Sequence, residues 1–280
     1  MKQLLLLVGM LLVSSAHAQL TISEPIAPPS RIDLLKIDGA NAVGSVLNAY
    51  AGPVRWKRDD WLTAGGIALG TFGLFMLDER LQPHFSRRND KVPDLIQDAA
   101  FYFGKPQYNY GLTAAIYVTG WLTKNEKIRE TGVLLIASAT TAGLIQTVSK
   151  TAIGRARPST GVGNRDFDFF NGTPDYHSFP SGHAILAFTT AHALAKQVES
   201  PWLKAGIYTL GSITPVSRLW TDAHWLSDIG LSLAISIVSV DSVFNYLKRS
   251  GDYDSRHGRQ SRIQWRVSGG LNGLGLVGQF

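Results

Sequence analysis

The residues able to do chemistry fall in three short clusters. Lys150 stands before Arg157-Pro158, Pro180-Ser181-Gly182-His183 follows, and Ser217-Arg218 precedes His224 and Asp228. Lys150, Arg157 and Arg218 supply cations, two imidazoles stand among them, and a glycine opens the stretch around His183. Such a set is a receptor for a tetrahedral oxyanion. The planar fork of arginine binds two oxygens of a phosphoryl group at once, and lysine adds a compact point charge. Each charged hydrogen bond contributes about 1.5–3 kcal/mol. Gly182 has no side chain, so its amide can approach an oxyanion closely. A helix opening near Gly182-His183 would aim further N–H groups and its positive end at the same place. The Ser181 hydroxyl is a further donor.

Phosphoryl transfer needs one group to attack phosphorus and another to protonate the departing oxygen. Asp228 lies four residues after His224, so on a helix the two share a face and the carboxylate accepts the second imidazole N–H. An imidazole held in one tautomer is a good nucleophile, and its imidazolium product is stabilised. His183 has no neighbouring carboxylate. This reading makes His224 the nucleophile, His183 the general acid and Asp228 the orienting carboxylate; Lys150, Arg157, Ser181, Gly182 and Arg218 bind phosphate.

At these positions the chain resembles the type 2 phosphatidic acid phosphatase superfamily, with the signature K-x6-R-P, P-S-G-H and S-R-x5-H-x3-D. Every fixed position matches, and the resemblance covers roughly residues 60–248. It implies hydrolysis of a phosphate monoester without metal or cofactor, through a phosphohistidine. The substrate would be a lipid phosphate such as phosphatidate, an isoprenyl pyrophosphate, or a small soluble phosphoester. Two alternatives stay open. A vanadium-dependent haloperoxidase shares this pocket and holds vanadate where phosphate would sit. A non-enzymatic phospholipid-binding module usually lacks a catalytic group, and none is missing here.

Composition narrows the partners. The formal charge of +6, or +5 without Lys2, suits an anionic substrate or lipid surface. The basic residues are dispersed and match no nucleic-acid motif, so no nucleic-acid partner is expected. The absence of cysteine excludes disulfide scaffolds, cysteine–zinc sites, thiol nucleophiles and an N-terminal lipidated cysteine. No carboxylate cluster suited to a catalytic metal pair accompanies the motifs. The sequence leaves oligomeric state open.

The elements that must position these residues are helical. Met1-Lys2, the apolar run Leu4–Val13 and a small-x-small ending at Ala18 predict a signal peptide over residues 1–18 and export to the periplasm. Residues 19–57 read as an extension carrying an amphipathic helix at Arg31–Tyr50. Residues 58–250 read as the catalytic domain and residues 251–280 as a tail with a strand or short hairpin. Uncharged stretches at Trp61–Leu77, Pro106–Thr123, Thr131–Ser149, Ala184–Ala195, Ala205–Ser217 and Ile229–Val240 predict an all-α, six-helix bundle of the acid phosphatase/haloperoxidase type. The first three reach only the lower edge of membrane-spanning length, and the last three fall short. The favoured arrangement is an exported bundle at a membrane. Basic residues from Arg80 to Lys105 keep a spanning arrangement open. The loop Ser159–Phe179 should border the site's mouth, with Phe167, Phe169 and Phe170 plugging the bundle end or, in the other reading, contacting a lipid chain. Trp220 and Trp225 read as packing residues, Asp222 as solvated, and His177 as a candidate for the pocket mouth.

Overall fold

A computed structural model describes residues 29–253 and the backbone of residues 264–270 and 273–279. Among the described residues there are nine α-helices: α1 (Arg31–Tyr50), α2 (Arg58–Phe75), α3 (Asp78–Ser86), α4 (Asp94–Phe103), α5 (Pro106–Thr123), α6 (Glu126–Ile153), α7 (Gly182–Lys196), α8 (Pro201–Trp220) and α9 (Leu226–Ser250). All six predicted core helices and the amphipathic helix α1 are present. The short helices α3 and α4 are additions, since their charged residues interrupt any apolar run. The predicted signal peptide lies outside the described residues.

Local chemistry sets the ends. Ser30 and Asp33 form a reciprocal capping box at the start of α1, the Asp33 N–H donating to Ser30 Oγ and the Ser30 N–H to Asp33 Oδ2. Asn125 caps α6 by accepting the Ile128 N–H at 3.1 Å. Gly154 ends α6 at φ +56°, where a Cβ would be driven into the Asp168 carbonyl, so glycine is required at that turn. α8 opens with Ser200 as cap and Pro201 in its first turn.

α7 lies against α6, α8 and α9. Its small residues permit this: Ala184, Ala187, Ala191, Ala193 and Ala195 are all buried, and a Cβ at Gly211 of α8 would collide with that of Ala191. One apolar cluster joins Val133, Leu134 and Leu135 of α6 to Val240, Val243 and Leu247 of α9. A smaller one, Ala184, Leu219 and Ile229, sits under the first turns of α7 and α9. Burial of such side chains stabilises by about 1.5–3 kcal/mol each.

The opposite faces are apolar too. α2 has no buried residue and exposes Trp61, Leu62, Leu69 and Phe72; α5 exposes Tyr108, Leu112, Val118 and Leu122. α6 and α9, with 28 and 25 residues, are each long and apolar enough to cross a membrane. α2 with the segment Asp78–Lys91, bent by 65° at a short break, would make a third crossing. The last stretch, expected to be short at Ile229–Val240, is corrected: the helix continues through Asp241 to Ser250, because Val243 and Leu247 on its later turns are buried in the core, while Asp241 stays half exposed and pairs with Lys196 at 2.7 Å and with His192 at 3.0 Å. Apolar helices and exposed apolar flanks place the chain with a membrane.

The tail is a second unit. Gln264–Gly270 (β1) and Gly273–Gln279 (β2) pair antiparallel, Gln264 opposite Gln279 and Gly270 opposite Gly273, giving the expected short hairpin.

Candidate active site

Each cluster is delivered by the end of a helix. Lys150 is on the last turn of α6, Ser181 caps α7, Gly182 and His183 are its first residues, Arg218 is on the last turn of α8, and His224 lies in the short link before α9. Four helix ends therefore meet, and the predicted helix opening at Gly182 is present. The charges of Lys150, Arg157 and Arg218 all act on His183, and those of Lys150 and Arg157 act on His224. Side chains up to 74 residues apart thus share one electrostatic site.

The two arginines are pre-oriented. Arg157 donates to the carbonyls of Pro174 at 2.8 Å, Ala223 at 3.3 Å and His177 at 3.4 Å, so its fork is tied to the loops on both sides. Arg218 Nε donates to Ser217 Oγ at 3.1 Å, and its guanidinium lies 5.4 Å from the Phe101 ring centroid. Phe101 also stacks on His183 at 5.4 Å. Ser181 Oγ accepts the Ala184 N–H at 3.4 Å, which leaves its own proton free to donate, and its backbone N–H donates to Ser232 Oγ. At Gly182 a Cβ would stand 3.3 Å from Gln146 Oε1, so a side chain there would crowd α6.

The expected carboxylate contact differs in detail. α9 begins at Leu226, so His224 precedes the helix and the i,i+4 geometry does not apply to it. Its Nδ1 lies 2.6 Å from the Ser178 carbonyl and 3.8 Å from Asp228 Oδ2. A carbonyl can only accept, so Nδ1 carries the proton and Nε2 keeps its lone pair. The peptide carbonyl sets the tautomer; Asp228 stands within charge reach, beyond hydrogen-bond length.

Asp228 itself is tightly held. Oδ2 accepts from Ser178 Oγ at 2.5 Å and from the Trp225 N–H at 2.8 Å, while Oδ1 accepts from Arg155 Nη1 at 2.6 Å. Arg155, only 1% exposed, also donates to Asp78 Oδ2 at 2.7 Å and to Ser227 Oγ at 2.8 Å. Sequence reading missed Arg155, Asp78 and Ser178. Arg155 sits between the two signature cations and carries no signal of its own, and Asp78 is far away in the chain.

Burial, opposed by Asp228 and helped by Lys150 and Arg157, pushes the His224 imidazole down to about 4. Burial, with Arg218 next and then the other cations, pushes His183 to about 4 as well. Both imidazoles are therefore neutral near pH 7 in the free protein. His183 Nε2 is buried and has no partner among the described residues, so it is open to a ligand oxygen. A dianionic phosphoryl group among the cations would raise both values, because it supplies the opposite charge.

Several neighbouring expectations change. Phe169 and Phe170 are 66% and 75% exposed, so they do not plug the bundle end; Phe167 packs near Phe75 and Arg155. Asp222 is structural: its carboxylate accepts from Gln82 at 2.7 Å and its carbonyl from the Ser159 N–H. Trp225 packs as expected, its indole N–H on the Ala156 carbonyl and its ring on Arg155. His177 contributes its carbonyl to Arg157, and its Nε2–H donates to the Asn171 carbonyl, 3.0 Å away. Among the described residues no group of three His, Cys, Asp or Glu side chains could hold a metal ion.

A model of the PAP2 superfamily matches residues 131–252, which contain all three clusters. A lipid A 1-phosphatase of Rhizobium etli is 32% identical over 65% of this chain and 81% of its own length. The chain belongs to the PAP2 superfamily. It is also similar to a lipid A 1-phosphatase of Porphyromonas gingivalis, 33% identical over 32% of this chain and 18% of that protein. An undecaprenyl-diphosphatase of Sulfolobus acidocaldarius is 32% identical over 41% of this chain and 54% of its own. The chain thus spans a small part of the first relative, about half of the archaeal one and most of the rhizobial one. Among solved structures, Aquifex aeolicus LpxE aligns with a TM-score of 0.44 at 21% identity, covering 61% of this chain and 95% of that one. The PAP2 superfamily match lies wholly within the helical unit of residues 30–253.

Proposed function

We propose that this PAP2 protein is a lipid phosphate or lipid diphosphate phosphatase that works through a phosphohistidine. The supporting observation is a single one: two neutral imidazoles stand in one buried site with three cations at the opening of α7, one with Nε2 freed by its tautomer and the other with Nε2 unpartnered.

The ester's phosphoryl oxygens sit among Lys150, Arg157, Arg218, the Ser181 hydroxyl and the first amides of α7. The lone pair on His224 Nε2 attacks phosphorus and the P–O bond to the alcohol or phosphate leaving group breaks. His183 delivers a proton from Nε2 to that departing oxygen. His183 acquires this proton once the bound dianion has raised its affinity, or takes it from a substrate that arrives as the monoanion. The phosphoimidazolium is stabilised by Asp228. Water then attacks phosphorus as neutral His183 accepts its proton, the P–N bond breaks, and inorganic phosphate leaves. The substrate class follows from place: the site belongs to a chain whose helices and flanks are apolar, so a phosphate carried on a lipid reaches it from the membrane surface. Relatives named for lipid A 1-phosphate and undecaprenyl diphosphate agree with that class. Export to the periplasm, predicted from the N-terminal sequence, would put the site on the outer side when the bent crossing by α2 and Asp78–Lys91 precedes that by α6.

The test is phosphate release by the purified chain in detergent, across phosphatidate, an isoprenyl diphosphate, a lipid A 1-phosphate and p-nitrophenyl phosphate. Release from at least one lipid, lost in His224→Ala, is expected, together with an acid-labile, base-stable phosphoryl label on the chain after rapid quench. Release from soluble esters alone would remove the lipid assignment. Dye bromination that depends on added vanadate and peroxide would favour the haloperoxidase instead.

A further inference from the structure

Asp78 lies outside the stretch shared with the PAP2 model, yet it joins the candidate site through a chain of buried contacts. Its Oδ2 accepts from Arg155 at 2.7 Å and from the Ser227 hydroxyl at 2.5 Å, and its Oδ1 accepts the Ser227 N–H at 2.9 Å. Arg155 reaches from there to Asp228 at 2.6 Å, and Asp228 faces His224 Nδ1 at 3.8 Å. The guanidinium is enclosed by the rings of Phe75, Trp225 and Phe167, with Cζ at 4.8, 5.5 and 5.9 Å from their centroids. Asp78, Arg155 and Asp228 are each about 1% exposed or less.

Three buried charges in a row carry a net charge of −1, and that residual charge ends against the imidazole that must become cationic. A lone Asp228 would give the same sum. The added pair does two further things. It clamps the carboxylate through Arg155 and pins the first turn of α9 through Ser227, so Asp228 cannot rotate away as charge develops. It also offsets the −1 of Asp78 against the +1 of Arg155, so that neither swings the field at His224 alone.

We infer that Asp78 and Arg155 are positioning residues for the proposed phosphoryl transfer, a compensated ion pair that orients Asp228 and sets the negative charge presented to His224. This rests on the reading of His224 as nucleophile. The other groups acting on His224 are all cations or neutral: Lys150 from α6, Arg157 and Ser178 from the loop, and His183 from α7; Arg218 from α8 acts on His183, and Asp175 acts on Arg157. Asp228 and the Asp78–Arg155 pair are therefore the negative side of the balance.

The sign differs between the two members. Asp78→Asn leaves the row at zero net charge, which disfavours the imidazolium, so the His224 titration should move to lower pH. Arg155→Gln leaves −2, so it should move to higher pH. With the guanidinium one carboxylate beyond the imidazole, each shift should be about one pH unit. The double variant keeps −1 and should titrate near wild type, while its kcat stays reduced because Asp228 is no longer clamped; KM should change little in all of them.

Two measurements on the full chain in detergent test this. One is the ¹⁵N-imidazole titration of His224 by NMR, assigned by difference against His224→Gln, which needs no turnover. The other is the acidic limb of kcat/KM, read beside the melting temperature. Opposite shifts in the two single variants, cancelling in the double, support the inference. Shifts of one sign, or an unmoved titration with a lowered melting temperature, reduce the pair to a structural role and overturn it. If Arg155→Gln does not fold, Asp78→Asn decides alone, and an unmoved titration there overturns the inference. A chain that shows the opposite NMR shifts but hydrolyses nothing keeps the pair and sinks the phosphatase reading instead.

Discussion

The charge of Asp228 carries the most weight in the proposed mechanism, and Asp228→Asn isolates it. The amide keeps the shape of the side chain, and its oxygen, in the place of Oδ2, can still accept from both Ser178 Oγ and the Trp225 N–H; the bond lost is the one from Arg155 to Oδ1. Arg155 is not stranded, because Asp78 still pairs with it. The loss is therefore one charge 3.8 Å from Nδ1 of a His224 that is only 3% exposed. At that separation and an effective dielectric near 20, the interaction is about 4 kcal/mol. Hydrogen bonds weakened at the same site cost about 1.5–3 kcal/mol of stability, within the usual total of about 5–15 kcal/mol, so the variant should fold. Local relaxation takes back part of the Coulomb energy; with about 2–3 kcal/mol left for an imidazolium half formed or more in the transition state, kcat should fall by about 30–150-fold. The sign on pH is fixed as well. Removing the anion lowers the affinity of His224 for a proton, so the acidic limb, near pH 4 in the wild type, should move lower still. The assay is steady-state phosphate release between pH 3.5 and 8 at saturating and limiting substrate. A variant that keeps more than about a tenth of wild-type kcat, with its acidic limb in place, would refute the claim that Asp228 stabilises a phosphoimidazolium.

Other consequences follow from the same geometry. His183→Ala should slow an alkyl phosphate far more than p-nitrophenyl phosphate, whose leaving group needs no proton; equal losses would remove His183 as the acid. Activity should survive EDTA and be inhibited by vanadate in competition with phosphate, and loss on chelation restored by magnesium would overturn the metal-free route. Both site imidazoles titrate near 4 when folded and near 6.5 when unfolded, so the unfolded chain binds more protons between those values. Stability should accordingly fall as pH drops from about 6.5 toward 4, measured as a melting-temperature series. At the far end of the bundle, Asp38 accepts from Arg129, Tyr117 and Tyr253, and both ions are buried. Asp38→Ala strands the guanidinium and should cost about 3–5 kcal/mol, whereas Asp38→Leu with Arg129→Met should recover most of it; chemical denaturation in detergent reads both.

Much of this protein was legible from residue types and spacing. Apolar runs bounded by charges mark the core helices because burial and helix periodicity are local properties of the chain. The three clusters point to a phosphate site because cations, a bare glycine amide and two imidazoles at fixed intervals have few other uses together. Helices α3 and α4 escaped because they are held by neighbours, as Ala100 is under α8, rather than by their own pattern. The length of α9 escaped because Asp241 looked like an end, while the burial of Val243 and Leu247 that carries the helix past it comes from packing.

What the chain order could not express is pairing at a distance. Spacing placed Asp228 on the His224 imidazole; the fold starts α9 two residues later and hands that proton to the Ser178 carbonyl. Arg155 carried no signal of its own between Lys150 and Arg157 and is one of the most buried side chains in the molecule, held by two carboxylates 77 residues before it and 73 after. Composition decides which groups are available and helix periodicity decides roughly where they point. Only tertiary packing decides which lose their water, and a charge that has lost its water must find its partner wherever the chain happens to bring one.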